Sequence, residues 1–261
     1  MVMLVRPLRF IACCLLGISL TACDPGASAQ EGEIWVPEVV ATFPHDSNAF
    51  TQGLLFHDGD FYESTGLRGE SSLRQVDIET GRVLRRENLS STYFAEGLEL
   101  VGDKLYQLTW QAGRVFVYTV DDFELIDSFA YEGEGWGLAW DGEQLVMSDG
   151  TPTLRFIDPA DFSVQRTITV TDNGEPQVNL NELEYIDGEV WANIWFEDRI
   201  ARIDPEDGHI VGWIDMSQLY PADRRDPDAV VNGIAWDPDA DRIFVTGKLW
   251  PAIFEVRFSE R

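Results

Sequence analysis

Cysteine is nearly missing from this sequence: Cys13, Cys14 and Cys23 are the only three in 261 residues. The body of the chain therefore has no disulfide and no thiolate metal site, and a packed core must stabilise it. Basic residues are also scarce. Nineteen Lys and Arg face 46 Asp and Glu, for a net charge of −27, and no Lys/Arg run occurs. Binding nucleic acid through its phosphates needs clustered cations, so that partner is excluded, and direct adsorption to anionic lipid head groups is disfavoured for the same reason. The acidic excess reads as a solvated, self-repelling surface. There is no G-x-S-x-G, no Cys/His pair for covalent hydrolysis and no long helical periodicity. The three histidines, His45, His57 and His209, are scattered without ligand spacing.

What is present is an apolar, aromatic chain, 44% hydrophobic with 9 Trp, 15 Phe and 7 Tyr. That is too apolar for disorder and long enough for one large all-β domain. Arg6 and Arg9 precede an apolar run from Phe10 to Leu20 that contains no acidic residue. This pattern is an export signal, too short for a stable membrane span. Leu20-Thr21-Ala22-Cys23 resembles the bacterial lipobox, in which the cysteine is diacylated and becomes the new N-terminus. The expected organisation is a lipoprotein-type signal peptide over 1–22, a lipid on Cys23, a flexible tether over 23–33 and a folded domain over 34–261. An ordinary signal peptide ending near Cys23 is the alternative. The protein is expected to be exported, periplasmic or at the cell surface, and to touch the membrane through its lipid anchor only.

Five segments share one plan: QGLLFHDGDFYEST from Gln52, EGLELVGDKLYQLTW from Glu96, WGLAWDGEQLVMSDG from Trp136, NELEYIDGEVWANIW from Asn181 and NGIAWDPDADRIFVTGKLW from Asn232. Each is an apolar stretch, a tight Asp/Gly turn and a second apolar stretch, which predicts a β-hairpin. Two further alternating stretches follow each hairpin, as in TLRFIDPADFSVQRTITV. Four strands at a spacing of 40 to 51 residues predict a five-bladed β-propeller. The last repeat keeps only PAIFEVRF after its hairpin, and the N-terminal EIWVPEVVATF is expected to supply the missing outer strand and close the ring.

In a propeller the inner strands line one channel, so equivalent repeat positions meet at one mouth. The residue opening each repeat is Gln52, Glu96, Trp136, Asn181 or Asn232. The returning strand brings Gly66, Trp110, Gly150, Trp195 and Lys248 to the same mouth, and Phe50 and Phe94 lie two residues before Gln52 and Glu96. A scaffold position would hold similar residues; this one holds an individualised set. One rim is therefore expected to gather Phe50, Phe94, Trp110, Trp136 and Trp195 around Gln52, Glu96, Asn181 and Lys248, an apolar bowl with few polar groups, as small-ligand sites are. Packing tryptophans and channel-satisfying amides would be the bland alternative. Among these aromatics Glu96 loses its water, which pushes its pKa toward neutrality, while Lys248 can lower it again by pairing.

The segments FTQGL (50 to 54), YFAEGLEL (93 to 100), WGLAWDG (136 to 142), LNELEYIDGEVWANIW (180 to 195) and FVTGKLWP (244 to 251) resemble the plant- and bacterial-type glutaminyl-peptide cyclotransferases, across about Val39 to Phe258. The resemblance implies a five-bladed propeller that converts the N-terminal Gln of peptides and proteins to pyroglutamate with release of ammonia. It places the catalytic carboxylate on Glu96. It places further site positions on Phe50, Gln52, Phe94, Trp110, Trp136, Asn181, Trp195 and Lys248, with Gln52, Asn181 and Lys248 expected to bind the amide and the developing oxyanion. No cofactor is required, no catalytic zinc is expected, and a structural calcium in the channel is left open but not expected. A monomer is expected.

Weaker signals resolve as structure. GEGWG from Gly133 echoes a nucleotide loop without a helix after it, and Asp237, Asp239 and Asp241 open like an EF-hand loop but continue with Arg242 and Lys248. Two rival functions stand beside the cyclase reading: a non-catalytic extracytoplasmic binding propeller, and a metal-dependent propeller hydrolase that chelators would stop.

Overall fold

The structure is a computed structural model that describes residues 33–220 and 226–261. The expected signal peptide, Cys23 and all of the expected tether except Glu33 lie outside the described residues.

The Asp/Gly pairs of the repeats do what their conformational freedom allows. Asp58 and Gly59 have φ of 51° and 89°, and Asp187 and Gly188 have 50° and 89°, so both central residues of these two-residue turns are left-handed and reverse the strand tightly. Around them the chain forms five four-stranded blades. The first is Thr51–His57, Asp60–Thr65, Ser72–Asp77 and Val83–Asn88, and the second is Ala95–Val101, Lys104–Thr109, Arg114–Thr119 and Leu125–Ala130. The third is Leu138–Trp140, Leu145–Met147, Thr153–Ile157 and Val164–Thr169, followed by a small two-stranded hairpin. The fourth is Leu180–Ile186, Glu189–Ile194, Arg199–Ile203 and Ile210–Asp215. The fifth takes Val231–Asp237, Arg242–Gly247 and Ala252–Glu260, with Glu33–Pro44 as its outer strand. The protein is thus an all-β, five-bladed propeller closed by its N-terminal strand.

That strand does more than complete a blade. Beyond its antiparallel pairing with Ala252–Glu260, its first residues pair in parallel with the fourth blade's outer strand, Glu33 opposite Gly212 and Trp35 opposite Ile214, and the two blades become one eight-stranded sheet. Trp35 is held there between the Arg202 guanidinium, 3.5 Å from its ring centroid, and the rings of Trp191 and Phe258. Arg202 is in turn fixed by a two-armed bond to Glu189 at 2.8 and 2.9 Å.

The core is divided among five blade-to-blade interfaces. Successive residues of a strand point to opposite faces, so Leu54 packs toward the fifth blade with Phe244 and Ala235, while Leu55 packs toward the second with Leu98 and Leu105. The inner strands contact one another in a closed cycle around the channel. The repeated Gly makes that approach feasible: a Cβ on Gly97 would lie 2.7 Å from the backbone nitrogen of Leu138. In the fourth blade the same position is Glu182, whose carboxyl oxygens accept from the Leu54 N–H at 3.3 Å and the Ile234 N–H at 3.0 Å. One side chain thereby joins three blades across the axis.

Glu99 and Glu184 lie further along the channel, and burial raises both; Glu99 is pushed up to about 8. The folded protein therefore keeps a proton on Glu99 that the unfolded chain has released, and this contribution to stability is lost as pH climbs from about 5 to about 8. Glu99→Gln removes that proton linkage. In calorimetric melts its Tm is expected to fall less than that of the wild type between pH 5 and pH 8, and an equal fall would refute the assignment.

Candidate active site

At one mouth of the channel the regular ladder is broken in four of the five blades, where a polar group is needed. Pairing steps from Thr51 to Gly53, from Ala95 to Leu98, from Leu180 to Leu183 and from Val231 to Ile234. The bulges so formed carry Gln52, Glu96, Asn181 and Asn232, and a bulge re-aims the side chain it carries. In the third blade Trp136 precedes the short strand Leu138–Trp140. A recurring bond then closes four of the hairpins at this end. The N–H groups of Gly66, Trp110, Trp195 and Lys248 donate to the carbonyls of Phe50, Phe94, Asn179 and Val230 at 2.8 to 2.9 Å.

These residues enclose a cavity of about 200 Å³ lined by Phe50, Gln52, Phe94, Glu96, Trp110, Trp136, Asn181, Trp195, Phe196, Asp228 and Lys248. All nine residues singled out in the sequence as one rim line it. Gln52, Glu96, Asn181 and Lys248 are buried at its floor, five half-buried aromatics form its walls, and Phe196 and Asp228 are exposed at its edge. Gly66 and Gly150 leave room for the walls, since a Cβ at Gly150 would lie 2.7 Å from the ring of Trp136 and one at Gly66 would overlap the ring of Phe94.

The walls are two aromatic arcs. Phe50 meets Phe94 edge-on at 6.2 Å and Phe94 meets Trp110 at 5.6 Å, while Trp136 meets Trp195 at 5.3 Å. Glu134 joins the arcs. Its Oε2 accepts from both indole nitrogens, Trp110 Nε1 at 2.7 Å and Trp136 Nε1 at 2.9 Å, while Oε1 takes the Gln111 amide at 3.0 Å. Partial burial pushes the Glu134 carboxyl up, but these three bonds together outweigh it and hold the carboxyl below its ordinary range, so it is ionised.

The floor is electrostatically tense. Burial pushes Glu96 well above its ordinary value; the Lys248 ammonium pulls it down and the Glu134 charge pushes it further up. Burial lowers Lys248 to about 8, against the attraction of Glu96 and Asp228. Lys248 is one of two lysines in the whole sequence, the other being Lys104. Its Nζ lies 4.8 Å from the centroid of the Phe50 ring, a cation–π contact. The Asn181 Oδ1 is buried with no hydrogen-bond partner among the described residues, an acceptor left open. Gln52 Oε1 accepts from Asn232 Nδ2 at 3.3 Å, an orientation that turns the amide nitrogen of Gln52 toward the cavity.

Behind the floor a buried ionic network braces the same residues. His45 Nδ1 donates to the Trp250 carbonyl at 2.6 Å, and Nε2 donates to Glu63 Oε1 at 2.9 Å. The same Glu63 oxygen accepts from the Thr51 hydroxyl at 2.7 Å. Burial alone would lower His45, but Glu63 outweighs it and the imidazole is raised. Arg74 completes the set with Asp46 at 2.9 Å. His45 thereby ties the turn that carries Lys248 to the strand that carries Gln52.

Glu134, Phe196, Asp228 and His45 were not anticipated. Glu134 falls inside GEGWG, where the glycines dominate the pattern, yet it stands two residues before Trp136 as Phe50 and Phe94 stand before Gln52 and Glu96, and that offset was the signal that could have found it. Among the described residues Asp204, Asp207 and His209 form a group close enough to share an ion, but they sit on an exposed turn of the fourth blade and not in the cavity. No helix among the described residues is long and apolar enough to cross a membrane.

The family described as glutamine cyclotransferase matches residues 11–258 of this sequence. A glutaminyl-peptide cyclotransferase of Arabidopsis thaliana is 48% identical over 229 residues, 85% of this chain and 71% of its own length. The crystal structure of a glutaminyl cyclase from Myxococcus xanthus superposes with a TM-score of 0.83 at 41% identity, covering 88% of this chain and all of that one.

Removing the shared acceptor should uncouple the two arcs. Glu134→Leu is expected to change the near-UV circular dichroism of the tryptophans and to lower stability by about 1–2 kcal/mol, with the lost bonds to a charged group discounted for exposure. An unchanged near-UV spectrum would mean that the indoles are held by packing alone.

Proposed function

The chain belongs to the glutamine cyclotransferase family, and on that footing we propose how its cavity converts an N-terminal glutamine to pyroglutamate. The reaction is an acyl transfer within one peptide. The α-amine of the N-terminal Gln attacks its own side-chain amide carbon, a C–N bond forms to close the lactam, the original amide C–N bond breaks and ammonia leaves. Both reacting groups belong to the substrate, so no enzyme nucleophile is required, only a ring-closing conformation and two proton transfers.

The observation that carries the assignment is Glu96 itself, a single carboxyl buried beside Lys248 and the open Asn181 oxygen at the floor of an aromatic cavity. A carboxyl raised toward neutrality can take the proton released by the attacking amine and deliver it to the departing nitrogen. The free Asn181 Oδ1 suits an N–H of the substrate amide or amine. The amide nitrogen of Gln52 and the Lys248 ammonium suit the carbonyl oxygen as it becomes an oxyanion, where a positioned donor lowers the barrier by about 3–4 kcal/mol. The aromatic walls hold the folded-back glutamine and keep water from it. The floor's donor set of one carboxyl, two carboxamides and an ammonium is unsuited to a catalytic cation.

We also place the enzyme outside the cytoplasm, tethered by a lipid on Cys23 and working as a monomer. The Leu20-Thr21-Ala22-Cys23 pattern supports the anchor, and a cavity built wholly from one chain suits a monomer. Cys23→Ala is expected to release the protein from membranes in a fractionation, and retention would remove the anchor from the account.

The activity is tested by ammonia release from a synthetic Gln-initiated peptide. Wild type is expected to turn over with or without excess EDTA, and Glu96→Gln to lose at least about a hundredfold in kcat. A well-folded wild type that binds the peptide without turnover would favour the receptor reading. The pH profile carries a second expectation. Lys248 loses its charge near pH 8, so kcat/KM should decline on the alkaline side. In Lys248→Met that decline should vanish. The acidic limb should move to higher pH, because the ammonium that lowers Glu96 is gone; an unmoved acidic limb would contradict the coupling.

A further inference from the structure

Phe196 is 63% exposed, the most exposed large hydrophobic side chain among the described residues, and it stands at the cavity's edge. Its φ of 67° is strained for a bulky residue. Phe123 and Phe162 share that backbone conformation, with φ of 60° and 59°, but their rings are 5% and 4% exposed and pack into blade interfaces. Leu67 and Leu249 follow Gly66 and Lys248 as Phe196 follows Trp195, with φ of 77° and 60°, and both are half-buried. The turn therefore belongs to the repeated scaffold. An exposed aromatic ring on it does not.

The ring is not adrift. It stacks on Trp195 at 4.3 Å and 28°, and Trp195 meets Trp136 edge-on, so the fourth blade's aromatic wall runs from the cavity floor outward to an uncovered face. A glutamine whose amine and side-chain amide both lie at the floor has its next Cα 3.8 Å further along the chain, toward the mouth. We propose that Phe196, with Trp195 behind it, is a subsite for the side chain of the residue that follows the N-terminal glutamine, selective for aromatic and large apolar side chains; this rests on the cyclase reading above. Asp228 lines the same mouth, and its carboxylate disfavours an acidic residue at that place.

The test compares kcat/KM for Gln-Phe-amide and Gln-Gly-amide in wild type, Phe196→Ala, Phe196→Tyr and Phe196→Gly. The wild-type ratio is expected to exceed tenfold in favour of Gln-Phe-amide, to fall below threefold in Phe196→Ala and to return in Phe196→Tyr. Phe196→Gly is expected to raise Tm by relieving the backbone while losing the preference, which separates the subsite from a structural role. A wild-type ratio near one, or a ratio unchanged in Phe196→Ala, overturns the subsite and leaves the cyclase reading standing. No turnover of either peptide by folded wild type overturns both.

Discussion

A carboxyl group taken out of water must be neutralised, paired or hydrogen-bonded, and the cavity is organised around that demand at Glu96. The aromatic arcs that dry the site raise its pKa; the buried Lys248 nearby restrains the rise, and Glu134, ionised at the wall, reinforces it. Neither floor group is in its ordinary state, since Lys248 is itself lowered to about 8. Pairs of this kind titrate as a unit, and a unit whose two members are both displaced from their ordinary values is suited to moving protons in both directions.

The propeller supplies this arrangement by symmetry and then breaks the symmetry. Five inner strands deliver five side chains to one mouth, and the bulges at Gln52, Glu96, Asn181 and Asn232 aim them. Around them lie devices of the individual blades. Glu182 replaces a glycine and bonds to two other blades, His45 braces the Lys248 turn against the Gln52 strand, and Glu134 grips two indoles with one oxygen. Rigidity comes from the closed cycle of blades, and the eight-stranded sheet made by the N-terminal strand secures its last joint.

The repeat was legible because hairpin turns and apolar alternation are local, and the rim was legible because equivalent positions in a repeat must converge. Glu96, Gln52, Asn181 and Lys248 could therefore be named by counting from the start of each repeat. Glu134 and Phe196 hold repeat positions too, two before Trp136 and one after Trp195, but neither side chain looks like its counterparts in the other blades, and their importance lies in what those side chains touch. Two lysines in the whole sequence, one of them at a rim position, was a signal in plain view that Lys248 is not a surface charge. The parallel pairing of Glu33 to Trp35 with the fourth blade had no local signature, because parallel partners far apart in sequence share no turn. The balance of charges at the floor likewise depends on three-dimensional burial.

The central claim is that Glu96 holds a proton in the dry cavity well above the pH at which an ordinary glutamate releases it. Difference infrared spectra between wild type and Glu96→Gln, recorded across pH 5 to 9, measure this directly through the carbonyl stretch of a protonated carboxyl. The account predicts a band present in wild type, absent from the variant and persisting at pH values where an ordinary glutamate, with its value of about 4.3, is fully ionised. A wild type already lacking that band at pH 5 would mean an ordinary, ionised carboxylate, and the claim that the dry cavity raises Glu96 would have to be given up.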